Sequence, residues 1–190
     1  MFKVTGICGS PRINGNTEIL LDISLNQFDK AYFRTEKILL SKYEVNPCLS
    51  CRYCVENDHC CIDDDMTNII IPKLIEADAI IVASPVYFNN VGGLVKNFMD
   101  RTWCIRGKLK DKIGGGIVVG RRYGSESALT AIHAFMLKHQ MILGHRGVSG
   151  IAYEKREILT DKRAIRDVKE LANRLSELIL HSRENTQKFE

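Results

Sequence analysis

The sequence has few of the features that mark membrane-bound, secreted or nucleic-acid-binding proteins. No apolar run approaches the ~20 residues that span a bilayer, and the N-terminus lacks the long apolar core of a signal peptide. The net charge is only +4, and the densest basic segment, Lys155 to Arg174, is interspersed with acidic residues. Such a segment is typical of a solvated helix face. We therefore expect a cytoplasmic protein with neither a membrane nor a nucleic acid as partner.

The residue sets that mark hydrolases are also missing. The five histidines form no cluster, and no Ser-His-Asp set or pair of carboxylates stands out. His133 and His139 fall on one predicted helix, but not at the i, i+4 spacing that places side chains on one face. Hydrolytic chemistry has no support. The length of 190 residues, with 45% hydrophobic and 26% charged residues, favours one globular domain over residues 1–190.

Cysteine, in contrast, is plentiful. In a reducing compartment, seven cysteines favour metal or redox chemistry over a disulfide framework. Five of them lie in an irregular segment, residues 44–65, which we predict to be a functional insertion after the second strand. Cys8, at the end of a strand, and Cys104, at the end of a helix, are expected to behave as small hydrophobic residues.

Apolar periodicity predicts strands and helices that alternate along the chain. The predicted strands are Phe2–Cys8, Glu36–Tyr43, Ala79–Ala83, Ile113–Val119 and Gly147–Tyr153. The predicted helices are Thr17 to about residue 29, Met66–Ala77, Gly92–Cys104, Ser125–Met141 and Asp161–Arg183. Because Pro72 lies inside the second of these, that helix should be short, kinked or late-starting. The alternation predicts an α/β fold: a flavodoxin-like, doubly wound, five-stranded parallel sheet of order 2-1-3-4-5.

In such a sheet, ligands bind beyond the carboxyl ends of the strands. The loop Gly9–Thr17 lies there, between a strand and a helix N-terminus, and it carries glycines, hydroxyls, amides and an arginine suited to an anion. It lacks the lysine of a Walker A motif and does not read G-x-G-x-x-G. A monophosphate such as that of FMN therefore fits better than ATP or a dinucleotide, although an ordinary turn is the alternative.

Two further loops are predicted at the same edge, Ser84–Asn90 and Gly120–Gly124. In the first, Tyr87 and Phe88 are suited to pack on a planar ring, with an amide of Asn89 or Asn90 at its polar edge. The alternative is that an aromatic residue only covers the sheet edge. In the second, glycines allow close backbone approach, and Arg121 or Arg122 is suited to a pyrimidine carbonyl or is simply solvated.

The cysteine segment contains a compact ligand motif. Cys48, Cys51, Cys54 and Cys60 follow C-x2-C-x2-C-x5-C, which suits a tetrahedral or cubane centre. Structural zinc sites more often show two separated pairs, whereas the bacterial ferredoxin run has a three-residue last gap followed by proline. Cys61 is an alternative fourth ligand. Zinc, with Cys60 or His59, and free thiols both stay open from spacing alone.

Three stretches together resemble the NADPH-dependent FMN reductase family of flavodoxin-like proteins: GSPRINGNT, SPVYFNNVGGLVKNFMDR and the Gly120–Gly124 loop. The resemblance spans residues 1 to about 155. It implies that FMN is bound at its phosphate by Ser10, Arg12, Asn16 and Thr17. It also implies Pro85, Val86, Tyr87, Phe88 and Asn89 beside the ribityl chain and the ring, with Gly120, Arg121 and Gly124 closing the site.

With its cysteine motif, the chain is similar to the iron–sulfur flavoproteins of anaerobes, which implies a 4Fe-4S cluster on Cys48, Cys51, Cys54 and Cys60. The resemblance implies an FMN-dependent oxidoreductase that passes electrons between the two cofactors. The electron donor would be NADH, NADPH or ferredoxin, and the acceptor a small molecule, dioxygen or a protein. It also implies a homodimer or homotetramer in which a neighbour's cluster approaches the FMN.

Two other functions stay open at this point. One is a cluster-free NAD(P)H-dependent FMN or quinone reductase whose cysteines bind zinc or nothing. The other is a non-catalytic flavin- or metal-binding protein.

Overall fold

A computed structural model of the chain describes residues 1–186, with side chains to residue 182; residues 187–190 of the predicted domain lie outside the described residues. The strands are β1 (Phe2–Cys8), β2 (Phe33–Leu39), β3 (Ala79–Tyr87), β4 (Asn90–Val91), β5 (Ile113–Gly120), β6 (Ile142–Leu143) and β7 (Val148–Ile151). The helices are α1 (Asn16–Leu25), α2 (Tyr53–Asn57), α3 (Ile71–Glu76), α4 (Gly93–Arg101), α5 (Ser125–Lys138) and α6 (Lys162–Thr186).

The sheet confirms the predicted flavodoxin-like order. Parallel strands run β2-β1-β3-β5-β6, and β7 also pairs with β5 in parallel. β6 and β7 are thus two pieces of the fifth strand, which gives the order 2-1-3-4-5. The short strand β4 is extra: it pairs antiparallel with the end of β3 and forms a hairpin at the carboxyl edge.

Two apolar layers cover the sheet. One contains buried residues of α1 and α6, and the other contains buried residues of α3, α4 and α5. Helix α6 shows why: its buried positions Ala164, Val168, Leu171 and Leu175 recur every three or four residues and so form one stripe. β5 is buried along its whole length, as expected for a central parallel strand.

Several predicted boundaries are wrong, and those of β2 and α5 have clear physical causes. β2 begins at Phe33 rather than Glu36 and ends at Leu39 rather than Tyr43. Phe33 sits opposite Phe2 in the parallel register and packs edge-on against Phe28, so its burial extends the strand backwards. Helix α5 ends at Lys138, because Gln140 takes a left-handed conformation and turns the chain into β6.

The proline-containing helix has the predicted short, late start. Met66–Ile70 forms a π-helical turn, and the regular helix α3 begins only at Ile71, with Pro72 in its first turn. A proline is tolerated there because its missing N–H has no intrahelical acceptor in the first turn. Among the described residues, no helix is long and apolar enough to cross a membrane.

Candidate functional site

The loop after β1 packs tightly against the rest of the predicted flavin edge. The Gly9 N–H donates to Ala83 O at 2.8 Å, which fastens the loop to the end of β3. A Cβ on Gly9 would lie 1.9 Å from Cγ2 of Val95 in α4, so only glycine fits. Ser10 is buried, and its hydroxyl accepts the Arg12 N–H at 3.1 Å. The loop therefore has a fixed shape with Arg12 exposed at its tip.

The first turn of α1 supplies the donors for an anion. Its amide N–H groups have no intrahelical acceptor, which makes this end of the helix electropositive. Glu18 lies in the same turn and would oppose an anion. Its carboxylate is buried, accepts the Asn14 N–H at 2.6 Å and pairs with Lys37 Nζ at 2.7 Å. Because Lys37 compensates that charge, the loop still fits a phosphate.

The predicted ring-binding loop is a hairpin, which corrects the prediction that Ser84-Pro85 ends the third strand. β3 continues through Tyr87, so Pro85 and Val86 lie in the strand itself. Phe88 and Asn89 form the two-residue turn, with φ of 46° and 59°. Positive φ at both central positions is the geometry of a type I′ turn, whose twist matches that of the paired strands.

The hairpin exposes its aromatic residues. Phe88 has no cover at all, at 106% relative exposure, and Tyr87 is 46% exposed. A bulky residue in the left-handed region and in full contact with solvent is unusual. Strain of this kind concentrates at binding sites. Both rings are therefore available to pack on a flat ligand.

The loop after β5 contacts this hairpin directly. A Cβ on Gly124, whose φ is +83°, would lie 2.4 Å from Cα of Asn89. A Cβ on Gly120 would lie 3.1 Å from Cβ of Val86. Arg121 lies exposed in the same loop. The structure thus brings the three predicted loops together at one edge of the sheet.

Asn16 has a different environment from that expected of a free phosphate ligand. Its side-chain amide donates to Glu154 O at 2.8 Å, and its Oδ1 accepts the Ile158 N–H at 3.4 Å. The segment before α6 is therefore fastened to the first residue of α1. Thr17, the next residue, is buried beneath the loop.

The cysteine segment is held against α4 by a buried arginine. The Arg101 guanidinium donates to both carboxylate oxygens of Asp64, at 2.5 and 2.9 Å, and both side chains are fully buried. It also donates to Asn46 O and Thr67 Oγ1, each at 2.8 Å. Residues on both sides of the cysteine motif are thus joined through one side chain.

The charges of this pair are mutually stabilised. Burial alone would raise the pKa of Asp64, but hydrogen bonds from Arg101 and from the amides of Asn46 and Thr67 outweigh it and lower the pKa to about 2. Burial alone would lower the pKa of Arg101, but hydrogen bonding to Asp64 and the charges of Cys60 and Asp64 raise it.

Arg106 is a second clamp on the same segment. Its guanidinium donates to Cys54 O at 3.0 Å and to Val55 O at 3.3 Å. These acceptors lie in the short helix α2, which carries the third cysteine of the motif. The segment therefore rests on two arginines that follow the flavin hairpin in the chain.

The predicted metal ligands share one cavity of about 850 Å³. Its walls include Cys48, Cys51, Cys54 and Cys60, and also Asn90 at the base of the hairpin. The thiols do not converge: within residues 1–186, no three His, Cys, Asp or Glu side chains approach closely enough to hold a metal ion. The soft thiol donors fit an iron–sulfur or zinc centre in chemistry.

The alternative ligand Cys61 lines the same cavity. Its sulfur is 3.5 Å from that of Cys51, and both residues are exposed. Their interaction lowers the pKa of Cys51, after the larger effect of the Tyr53 N–H, and raises the pKa of Cys61. Cys54 and Cys60 are partly buried and pack against the apolar layer beneath.

The remaining two cysteines are buried thiols, as predicted. Burial raises the pKa of Cys8 and of Cys104 to about 11. Cys104 nevertheless lines the cysteine cavity, and its thiol donates to Arg101 O at 3.2 Å. Neither the place of Cys104 in this cavity nor the burial of Arg101 is visible in the sequence, because an arginine at a helix end gives no signal of burial.

Comparisons with known proteins agree with this geometry. The profile of the family described as NADPH-dependent FMN reductase matches residues 2–154. An iron–sulfur flavoprotein of Methanocaldococcus jannaschii is 37% identical over 94% of this chain and 97% of its own length. An iron–sulfur flavoprotein of Methanosarcina thermophila is 36% identical over 98% and 100%. The solved structure of an archaeal flavodoxin superposes with a TM-score of 0.63 at 17% identity, over 95% and 100%.

The fold, with three loops gathered at the carboxyl edge of its parallel sheet, therefore defines a flavodoxin-like α/β protein. The chain belongs to the NADPH-dependent FMN reductase family, and its near-full-length relatives carry the name iron–sulfur flavoprotein. It is accordingly a flavin-dependent oxidoreductase with FMN as its flavin.

Proposed function

We propose that this protein transfers electrons between FMN, held at the three-loop edge, and a 4Fe-4S cluster held by Cys48, Cys51, Cys54 and Cys60. One observation carries the proposal: the cavity lined by the four cysteines is also lined by Asn90, which pairs with Tyr87 in the flavin hairpin. The two candidate sites are thus adjacent within one chain. The names of the relatives support the identity of the second cofactor.

The residues of the edge have distinct tasks in this proposal. Arg12, Ser10, Thr17 and the first-turn amides of α1 bind the phosphate, while Asn16 holds the loop in shape through the segment before α6. Tyr87 and Phe88 pack on the ring. Pro85, Val86 and Asn89 border it through the hairpin, and Gly120, Arg121 and Gly124 close the third side.

The two cofactors supply complementary chemistry when bound: a flavin exchanges electrons in pairs or singly, and a cluster exchanges one at a time. The chain's own part is to orient the flavin, to limit its contact with water and to hold the thiolates. NADH, NADPH or reduced ferredoxin would supply electrons, and a small molecule, dioxygen or a protein would accept them.

We also propose that the working form is a homodimer or homotetramer. Phe88 and Tyr87 are exposed in the single chain, and Trp103, a wall of the cysteine cavity, is 45% exposed. A second copy that covered these aromatic residues would exclude water from both sites. Light scattering of the anaerobic protein tests this, and a monomer that turns over at full rate contradicts it.

Anaerobic purification followed by an absorbance spectrum and assays of iron and labile sulfide tests the two-cofactor proposal. We expect flavin bands above a broad cluster shoulder, with about four irons per chain as in a 4Fe-4S centre. Flavin without iron would instead support a cluster-free reductase, and zinc at one ion per chain would support a structural site. Bound flavin that no donor reduces would support a binding protein.

Two matched variants identify the fourth ligand. Cys60→Ser should lose the cluster, because Cys60 is partly buried in the cavity beside Arg101. Cys61→Ser should keep it, because Cys61 is more exposed than Cys60. Both variants should bind FMN equally, since neither residue contributes to the three loops. The reverse pattern of iron retention would assign Cys61.

A further inference from the structure

The Nε–H group of Arg101 is buried and has no hydrogen-bond acceptor among the described residues. The two terminal nitrogens bond to Asp64, Asn46 O and Thr67 Oγ1, whereas Nε has no acceptor among the described residues. A buried N–H without an acceptor is costly and calls for an explanation. Its place on the cavity wall suggests that an acceptor arrives with a ligand.

The nearby acceptor is sulfur. Cys60 lines the same cavity as Arg101 and lies close enough to the guanidinium to help Asp64 raise the pKa of the arginine. Next to burial, the charges of Cys60 and Cys54 raise the pKa of Cys104, whose thiol donates a hydrogen bond to Arg101 O. Arg101 therefore shares the cavity with the less exposed thiols of Cys54, Cys60 and Cys104.

The Asp64 carboxylate weakens the electrostatic effect of the Arg101 cation on distant groups. The two charges form a nearly neutral pair, so their joint field falls off faster than that of a single charge. An acceptor atom in direct contact with the guanidinium can still accept a full hydrogen bond from one of its N–H groups. Hydrogen bonds to the sulfurs are one of the known determinants of a cluster's reduction potential.

We propose that Arg101 is a positioning residue that directs an N–H group at the Cys60 sulfur and raises the reduction potential of the cluster. The inference rests on the proposed function, because it requires a cluster on Cys60. An N–H···S bond draws electron density from the sulfur and so favours the more negative, reduced state. Arg101 itself is neither oxidised nor deprotonated.

Arg101→Gln and Arg101→Lys test the inference against Lys96→Gln as the matched control. Lys96 lies on the same helix and lines the same cavity, but it is 62% exposed and, among the described residues, its one ion pair is with Asp100. All four proteins, including the wild type, are isolated anaerobically and titrated against potential with the reduced cluster followed by electron paramagnetic resonance. Iron and FMN per chain are measured in parallel.

At fixed potential, we expect Arg101→Gln to lower the ratio of reduced to oxidised cluster about tenfold, which is about 59 mV for one electron. Arg101→Lys should fall in between, because it keeps the charge without the planar donor. Lys96→Gln should change the ratio less than twofold. Unchanged ratios in both Arg101 variants would overturn the inference while leaving the proposed function intact.

The other outcomes are also decisive. An Arg101 variant that keeps FMN but loses iron would show that Arg101 only holds the cysteine segment in place, and would overturn the inference. Variants that lose both FMN and iron, with a collapsed circular dichroism spectrum, would show a purely structural role and overturn the inference. A wild-type protein without iron would overturn the proposed function and this inference together.

Discussion

The flavin edge and the cysteine segment are built in different ways. At the flavin edge, loops continue directly from paired strands, and the contacts between them are largely backbone contacts, such as Gly9 N–H to Ala83 O and Gly124 against Asn89. The cysteine segment has little regular structure and is held by side chains, chiefly Arg101 and Arg106. One region is therefore formed by the fold itself, whereas the other depends on a few charged side chains.

The largest effect should come from breaking the buried ion pair of Arg101 and Asp64. Arg101→Met leaves the fully buried Asp64 carboxylate without its partner, which typically costs about 3–5 kcal/mol of stability. Urea unfolding of the metal-free protein measures it. The control Lys96→Met removes an exposed i, i+4 pair and should change stability by about 0.5 kcal/mol or less. Equal losses of unfolding free energy in the two variants would show that the buried ion pair stabilises the protein no more than an exposed one.

Acid should weaken the same ion pair of Arg101 and Asp64. Asp64 has a lowered pKa of about 2 in the folded protein, against 3.8 for the free side chain. Its contribution is fully present above pH 3.8 and is lost as the pH falls towards 2. The difference amounts to about 2 kcal/mol, since each unit is worth about 1.4 kcal/mol. Comparing the stability of the wild type and Asp64→Asn between pH 6 and 2 measures it: the gap should close as the pH falls, and a constant gap contradicts the assignment.

Gly124→Ala should damage the flavin edge and leave the cysteine segment intact. The new methyl group would lie 2.4 Å from Asn89 Cα at a φ of +83°, and such overpacking typically costs about 1–3 kcal/mol. We expect FMN affinity to fall at least tenfold by fluorescence titration. Gly93→Ala is the control, because its Cβ meets nothing within 4 Å. Similar affinities in the two variants would contradict contact between the third loop and the hairpin.

Phe88→Gly should have the smallest effect on stability and the opposite sign. Glycine accepts the φ of 46° without strain and removes a fully exposed ring, so stability should rise by up to about 1 kcal/mol. FMN binding should weaken if the ring packs on the flavin. Thermal unfolding with and without FMN separates the two effects. A variant that is less stable without FMN would show that Phe88 is not strained.

Much of the flavin edge is predictable from sequence, because apolar runs such as Ala79–Ala83 identify buried strands and parallel strands place their following loops together. The hairpin at Phe88 was missed because the usual Asn-Gly turn signal is absent. Its turn instead depends on the antiparallel pairing of Tyr87 with Asn90. The early start of β2 was missed because Phe33 is buried by Phe2 and Phe28, which local pattern does not show.

The cysteine segment shows the limit of sequence analysis more clearly. The ligand spacing is visible in the sequence, but its surroundings are not. Arg101 and Asp64 are 37 positions apart, and each has the composition of an ordinary surface residue until the fold joins them. The same holds for Cys104, whose place beside Cys54 and Cys60 results from the packing of the residues after α4 against α2.

The bonds from Asn16 to Glu154 and Ile158 have a practical consequence for handling this protein. They tie the start of the first helix to residues 138 and 142 positions further along the chain, so a nascent polypeptide lacks these bonds until that stretch has been made. Fragments that stop before residue 154 would lack that brace. Fusions and truncations designed to report on flavin loading should therefore keep the stretch that leads into α6, through residue 158.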